Sequence, residues 1–330
     1  MNSDQKVTLY ANVLNEAHSI DRLLVSVDAQ TRKYDEFIII DGGSNDGTLE
    51  VLERYVGSHP NVKLILYPGS RIGEARNRAI ASSSFDLVAS IDAGCHAEKE
   101  WLERLMAKMT PEVDIVSGAY LPDPATDFER CVGDLMYPRI DSLPDDWTMP
   151  SHRSVLLRKR VWQALGGFPP HLGPSEDTWF DIEAARLGFK FKLARDAVVY
   201  WRPRRNLVEV FKSSFRFMLS DVRHRIGLES LSRRTIIIKT ADMISLLGWC
   251  TALVTTFAIS PLIGGVGLVI FTALMVRPFR TIHLYFSEKS WRGKITKNLI
   301  NLTNSVAWSL GYVLGIAARV RKSPSLVVSS

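Results

Sequence analysis

The chain has 330 residues, of which 46% are hydrophobic, and it carries a formal charge of +6. Its three cysteines lie far apart and form no Cys/His cluster, which argues against a disulfide framework and a zinc site. Residues 1–201 carry 22 Lys and Arg against 30 Asp and Glu, whereas residues 202–330 carry 19 against 5. A nucleic-acid-binding protein usually has its basic surface on the folded domain, so we expect no nucleic-acid partner. Positive charge beside apolar segments indicates an anionic membrane surface instead.

Apolar runs alternate with helical patterns through the first 120 residues. The pattern predicts strands over 6–14, 36–41, 62–67, 85–92 and 113–120. It predicts helices between them, over 19–30, 46–57, 73–83 and 98–109. This alternation is typical of an α/β domain with a largely parallel sheet, in which ligands bind at the carboxyl ends of the strands.

Polar residues follow these predicted strands where ligands would bind. Asn15 and Glu16 follow the first strand, Asp41 the second and Asp92 the fourth. The turn "IIIDGGSNDGT", residues 38–48, is not the start of an EF-hand loop. Counted from Asp41, Gly43 holds the third position and Leu52 the twelfth, where an EF-hand has Glu. A capped turn explains its glycines and Asp46, but it leaves Asp41 unexplained, because Asp41 has no evident capping partner.

Six short motifs occur in a fixed order, although none is specific alone. They are "NEAHSIDRLLVSVDAQ", "EFIIIDGGSNDGT", "GEARNRAI", "SIDAGC", "GGF" and "SED". Together, over most of residues 7–201, the chain resembles the family-2 inverting nucleotide-sugar glycosyltransferases of GT-A fold. The resemblance implies a Rossmann-like GT-A catalytic domain over 1–201, a UDP- or GDP-linked sugar donor, and a divalent cation, Mg²⁺ or Mn²⁺.

The resemblance also implies which residues bind the donor. Asp41 would contact the nucleoside base, Arg76 the base and diphosphate, and Asp92 the ribose or the metal, with Glu16 beside the donor. Arg76 could equally lie on a solvated helix face. The commonest family pattern is Asp-x-Asp, but Gly94 stands at the second carboxylate's position. One protein carboxylate can suffice, because phosphate oxygens and water supply other ligands to the cation.

Glu176 and Asp177 open a predicted helix in "GPSEDTWFDIEAARLGF". The helix dipole favours acidic residues at a helix N-terminus, and this effect alone could account for one of the two. The resemblance places the pair where the acceptor binds and makes Asp177 the general base, which takes the proton of an acceptor hydroxyl. Glu176 and Trp179 are acceptor-side candidates, and Trp179 could equally fill the core.

The basic part of the chain contains the predicted membrane segments. Within 202–241, residues 205–230 predict an amphipathic helix that lies on the bilayer or packs on the catalytic domain. Its apolar stripe consists of Leu207, Phe211, Phe215, Met218, Val222 and Ile226. Within 242–330, residues 243–276 are 34 uncharged positions with a Pro and Gly turn at the middle, which predicts a helical hairpin. Residues 299–318 predict a third membrane helix or an interfacial or re-entrant one.

Basic residues flank the predicted hairpin on both sides, which puts both ends and the catalytic domain in the cytoplasm. We therefore expect a glycosyltransferase at the cell (inner) membrane that acts on a hydroxyl of a lipid-linked or glycan acceptor. One alternative is a synthase of polyprenyl-phosphate sugars, whose acceptor is already an anion and needs no general base. Another is a non-catalytic membrane scaffold that lost its metal site at Gly94.

Overall fold

The computed structural model describes residues 5–226, 248, 260, 262, 265–267, 288 and 290–320. The chain divides into two compact units, the first formed by 1–123 with 138–202 and the second by 124–137 with 203–330. The hairpin predicted over 243–276 lies outside the described residues, apart from a few isolated positions.

The first unit is an eight-stranded sheet with helices on both faces. Its strands are β1 Val7–Val13, β2 Glu36–Asp41, β3 Val62–Leu66, β4 Leu87–Ile91, β5 Cys95–Ala97, β6 Ile115–Pro122, β7 Ser154–Arg158 and β8 Phe191–Trp201. Its helices are α1 Ile20–Asp28, α2 Thr48–Ser58, α3 Ile72–Ser82, α4 Trp101–Lys108, α6 Lys159–Leu165 and α7 Glu176–Arg186. The strands and helices predicted up to residue 120 are confirmed, and the short β5 is an addition.

The sheet has the strand order β3-β2-β1-β4-β7-β6-β8-β5. The first four strands are parallel, as is the β6–β8 pair, whereas β4–β7, β6–β7 and β5–β8 are antiparallel. The chain runs outward from β1 to β3 and then returns to the other side of β1 with β4. Ligands of open α/β sheets bind at such a reversal of strand order, here between β1 and β4.

Alternate residues of the central strands bury opposite faces of the sheet. One apolar cluster joins Leu9 and Ala11 of β1 to α1, α2 and α4, and it contains the fully buried Trp101. The other joins Tyr10 to α3, α6 and α7. Strands that are buried on both sides read as continuous apolar runs, which is why they are evident in the sequence.

The antiparallel β7 determines which distant residues reach the site. Its first residue, Ser154, pairs with Ile91, the last residue of β4. The two residues before β7, His152 and Arg153, therefore lie next to Asp92, which directly follows β4. Similarly, β5 pairs Cys95 with Trp201 at the end of β8, so that Trp201 reaches the loop after β4.

The second unit contains three described helices, α5 Asp127–Met136, α8 Leu207–His224 and α9 Trp291–Val320. The predicted amphipathic helix corresponds to α8, which Asn206 caps by accepting a hydrogen bond from the Glu209 amide. Its buried residues are Val210, Ser214, Met218, Ser220 and Val222, whereas Phe211 and Phe215 of the predicted apolar stripe are half-buried. Three of the six stripe residues, Met218, Val222 and Ile226, are buried, and α8 packs against α9.

In α9 the apolar residues are mostly on the exposed side, the reverse of a surface helix in a soluble protein. Its inward positions carry small or polar residues, Gly293, Lys297, Ala307, Gly311 and Gly315, apart from the fully buried Ile300. Its outward positions are apolar and exposed: Trp291, Ile295, Leu299, Leu302, Leu310, Val313 and Leu314. Among the described residues, α9 is the one helix long and apolar enough to cross a membrane. Whether it crosses the bilayer or lies at its interface stays a prediction.

A partly buried ionic cluster joins α9 to α5 within this unit. The ammonium of Lys297, which is 2% exposed, lies 2.8 Å from Asp134 Oδ2 and 3.3 Å from Glu288 Oε2. The Arg130 guanidinium also donates to Glu288, at 2.8 Å. A charge can be buried only when it is paired and hydrogen-bonded, so this cluster fixes the register of the two helices.

Candidate active site

Two loops at the carboxyl edge of the sheet are fastened to each other. Asn15, which follows β1 in the left-handed conformation (φ 55°), accepts a hydrogen bond from the Asn45 amide. In return, the Asn15 amide donates to Ser44 Oγ, and the Glu16 amide donates to Thr48 Oγ1. The loops after β1 and β2 therefore form one rigid edge of the site.

Asp41 does have capping partners, which corrects the expectation that it has none. Its Oδ1 accepts hydrogen bonds from the amides of Gly43 and Ser44, both at 2.9 Å, and its Oδ2 accepts one from Ser44 Oγ at 2.6 Å. The carboxylate is 1% exposed. Asp41 thus holds the loop after β2 in its conformation. A contact between Asp41 and a nucleoside base would be a second role beside this structural one.

Asp92 follows β4 and lies between two arginines. Its Oδ1 is 3.6 Å from the Arg76 guanidinium, and its Oδ2 is 3.6 Å from Arg153 Nε. The Asp92 side chain is 29% exposed, so a ligand can reach it. Arg76 comes from α3 and Arg153 precedes β7, so three separate parts of the chain converge here.

Arg76 is buried, which rules out the alternative of a solvated helix face. It is 3% exposed, its Nε lies 3.2 Å from Glu176 Oε1, and its guanidinium donates to the His152 carbonyl at 3.4 Å. Burial alone would lower the pKa of Arg76, but Tyr10, Asp92 and Glu176 around it raise that pKa above its ordinary value. Arg76 is therefore a permanent cation inside the domain.

Glu176 and Asp177 begin α7 but have different surroundings. Glu176 is 2% exposed, and burial together with the neighbouring Asp177 raises the pKa of its carboxyl, while Arg76 opposes the change. Asp177 is half-buried, and its Oδ1 accepts a hydrogen bond from the Thr178 amide at 2.8 Å. Glu176 therefore holds Arg76 in place, whereas the Asp177 carboxylate is open to a ligand.

Beneath this pair lies a buried His152–Asp181 contact that the sequence interpretation missed. His152 Nε2 is 3.2 Å from Asp181 Oδ1, and both residues are fully buried. Burial lowers the pKa of His152 and raises the pKa of Asp181, so the two form a neutral pair. No sequence spacing links them, because only the fold brings the residues before β7 against α7.

Trp179 packs with the apolar cluster around Phe168 and Phe180, which agrees with the interpretation as a core residue. Phe168 stacks on Phe180 at a centroid distance of 4.3 Å, and the Arg76 guanidinium lies 5.7 Å from the Phe168 ring centre. The side chain of Asn77 holds this turn by bonding both the amide and the carbonyl of Phe168, at 2.7 Å each.

The residues around Gly94 allow a test of the implied metal. A Cβ at position 94 would lie 3.6 Å from Glu16 Oε1 and 3.6 Å from Trp201 Nε1. Among the described residues no group of three or more His, Cys, Asp or Glu is arranged to hold a metal ion. Asp92 nevertheless offers one exposed carboxylate with Glu16 nearby, which fits a cation that takes its other oxygens from a diphosphate and water.

Comparisons with known proteins agree with this architecture. Residues 12–160 match the family described as "Glycosyl transferase family 2". The glycosyltransferase AglE of Haloferax volcanii is 28% identical over 218 residues, which are 64% of this chain and 71% of that protein. The succinoglycan biosynthesis protein ExoA of Rhizobium meliloti is 24% identical over 61% of this chain and 64% of its own length.

A solved structure with the same fold is the mannosyltransferase PcManGT from Pyrobaculum calidifontis, in complex with GDP-Man and Mn²⁺. The two chains superpose with a TM-score of 0.58 over 93% of this chain and 88% of the other, at 17% sequence identity. The likeness confirms the GT-A fold.

Proposed function

Because residues 12–160 are a glycosyltransferase family 2 domain in a glycosyl-transferring enzyme, we propose that this enzyme moves a sugar, with inversion, from a UDP- or GDP-linked donor to a hydroxyl of a lipid-linked or glycan acceptor. One observation carries the proposal. Asp92 lies at the carboxyl edge of the sheet between two arginines, and Glu176, which directly precedes Asp177, lies 3.2 Å from one of them, Arg76. Donor-side and acceptor-side groups thus lie close together.

The proposed chemistry follows from how charge develops in an inverting displacement. The acceptor hydroxyl loses a proton as it attacks, and Asp177 takes it, with Oδ1 oriented by the Thr178 amide. The leaving diphosphate gains negative charge, which the guanidinium groups beside Asp92 offset. A divalent cation held by Asp92, when bound, would neutralise the same phosphate charge. The buried Glu176 keeps Arg76 in place.

We also propose that the enzyme is attached to the cytoplasmic face of the cell membrane. The support is the inverted polarity of α9, whose exposed face is apolar, and the excess of basic residues in 202–330. Packing through small residues, with leucine and isoleucine outward, is how helices associate inside a bilayer.

The test uses the full chain in detergent with a panel of nucleotide sugars and water as the acceptor. Asp177→Asn should leave the dissociation constant of the donor unchanged and slow donor hydrolysis by about 10²- to 10⁴-fold, the usual contribution of a general base. Asp196→Asn, which alters an exposed carboxylate of β8, is the matched control and should hydrolyse at the wild-type rate.

The possible results separate the alternatives. Full activity of Asp177→Asn with a polyprenyl phosphate acceptor would favour the synthase that needs no general base. If the wild-type chain bound no nucleotide sugar with Mg²⁺, with Mn²⁺ or with a chelator, the scaffold alternative would replace the proposed enzyme.

A further inference from the structure

The two arginines beside Asp92 are not equivalent. Arg76 is fixed, since its side chain is 4% exposed, Glu176 is its internal counter-ion, and its guanidinium also donates to the His152 carbonyl. Moving Arg76 toward a ligand would separate it from Glu176 and from the His152 carbonyl, and would leave both buried acceptors without their donor. Arg76 therefore stays in place when a ligand enters.

Arg153 is held more weakly and is 20% exposed. Its Nε lies 3.6 Å from Asp92 Oδ2, within the range of an ion pair but too far for a hydrogen bond. That Nε is buried without a hydrogen-bond partner among the described residues, and one terminal nitrogen donates to Ser151 Oγ at 2.6 Å. A buried donor without an acceptor is costly, so this guanidinium gains by acquiring one.

The surface beneath Arg153 lets it move. Its guanidinium carbon lies over the Trp201 ring, 3.9 Å from the ring centre, and 5.5 Å from the ring centre of Tyr120. The attraction of a cation to an aromatic face does not depend on one hydrogen-bond angle. The Arg153 guanidinium can therefore move a short distance over Trp201, from the Asp92 carboxylate to another anion, and keep its contact with the ring.

We propose that Arg153 is the anion-binding arginine of this site, which holds Asp92 when no diphosphate is bound and transfers to a phosphate oxygen when a nucleoside diphosphate binds. A guanidinium matches phosphate geometry with two parallel donors, which Asp92 does not receive at 3.6 Å. This inference rests on the proposed function and deepens it. The resemblance implies that Arg76 contacts the diphosphate, whereas the proposal gives that contact to Arg153.

The exchange has a consequence for cation binding. While Arg153 faces Asp92 Oδ2, a divalent cation must compete with a positive charge for the same carboxylate. When Arg153 transfers to the phosphate, Asp92 is released for the cation. Diphosphate and cation should therefore strengthen each other's binding beyond their direct contact, and removal of Arg153 should favour the cation when no nucleotide is present.

The experiment measures binding to the full chain in detergent by calorimetry, with GDP, UDP, guanosine, uridine and Mn²⁺ alone as probes. The variants are Arg153→Gln, Arg153→Lys and the control Arg160→Gln, whose side chain is 56% exposed and pairs with Asp114. Arg153→Gln should weaken the preferred diphosphate by about 10- to 100-fold, the value of a charged hydrogen bond, and leave its nucleoside unchanged. Arg153→Lys should fall between Arg153→Gln and wild type, because one ammonium replaces a two-donor fork.

Mn²⁺ alone should bind Arg153→Gln more tightly than wild type, because the competing cation is gone. Equal losses of nucleoside and diphosphate affinity, or unchanged Mn²⁺ affinity, would overturn the assignment. If the wild-type chain binds no nucleoside diphosphate, the proposed function fails, and the Mn²⁺ titration still decides whether Arg153 competes for Asp92. Thermal unfolding of each variant shows whether it remains folded.

Discussion

At the scale of single residues, Gly94 is where the loop after β4 departs from the usual pair of carboxylates. The backbone there is not left-handed, and a Cβ would make ordinary contacts with Glu16 and Trp201. The position therefore does not need glycine for steric reasons. Gly94 limits the number of protein ligands that a cation could find, and it leaves the fold unaffected.

We predict that Gly94→Asp folds normally and binds Mn²⁺ about tenfold more tightly, because a second carboxylate joins Asp92 at the same edge. Gly94→Ala adds the same Cβ without the charge and should leave Mn²⁺ affinity at the wild-type value. Metal titration and thermal unfolding of the three proteins provide the measurement. If the alanine and aspartate variants bound Mn²⁺ equally, Asp92 would not be part of a cation site.

The residues named from the sequence follow strands or open a helix, where position alone suggests a site. Asp92, Glu16 and Asp177 belong to this group. Arg153 and His152 could not be found in this way, because an antiparallel strand brings them to Asp92 and strand direction leaves no mark in residue spacing. The caps on Asp41 were equally hidden, because its partners are backbone amides whose direction depends on the turn.

At the scale of elements, α8 and α9 approach each other closely at two glycines. A Cβ on Gly315 would lie 2.7 Å from Val222 Cβ, and one on Gly311 would lie 2.9 Å from the Phe215 carbonyl oxygen. Real Cβ atoms do not approach other atoms this closely, so the backbones would have to separate. The two glycines are four residues apart, the spacing that places them on one helix face.

Gly315→Ala should therefore destabilise the second unit by about 1–3 kcal/mol, the usual cost of overpacking a close contact. The matched control is Gly57→Ala in α2, where a new Cβ would meet open space and should stabilise the chain by about 0.5–1 kcal/mol. Unfolding in detergent compares the two variants. A gain in stability for Gly315→Ala would mean that α8 and α9 do not pack through these glycines.

The sequence predicted elements better than their partners. Apolar runs identified β1 to β4, and the helical stripe identified α8, although Val210 and Ser214 beside the stripe are buried as well. A hydrophobic pattern records which side is apolar and not which neighbour covers it. In α9 the apolar side is not the packed side. The packed side carries glycine and lysine, and the exposed side carries leucine.

At the scale of the whole molecule, acidic and basic residues are segregated along the chain. The part up to residue 201 has an excess of carboxylates, and the part after it has 19 basic residues against 5 acidic ones. Basic residues near an anionic lipid surface contribute about 1 kcal/mol each, an attraction that salt screens. Apolar contact by α9 would add a contribution that salt does not weaken.

We predict that the chain floats with anionic vesicles and that replacing Leu299 and Leu310 of α9 together by asparagine reduces the bound fraction at high salt. Both side chains are exposed, at 46% and 45%, so the protein should remain folded. Leu187→Asn changes a 60% exposed leucine that follows α7 and serves as the control. Equal flotation of all three proteins would show that the outer face of α9 does not contact lipid.

The antiparallel pairing of β4 with β7 also has a consequence for how related chains diverge in sequence. Asp41 and Arg76 lie before the end of β4 in sequence, whereas Arg153 and Asp177 lie after it, and the two groups meet across this pair of strands and through the contact of Arg76 with Glu176. Substitutions around Asp177 that spare Arg153 can therefore accumulate in one lineage while the donor side of the site is retained. Under the proposed function, descendants of one ancestor could acquire new acceptors and still use the same activated sugar.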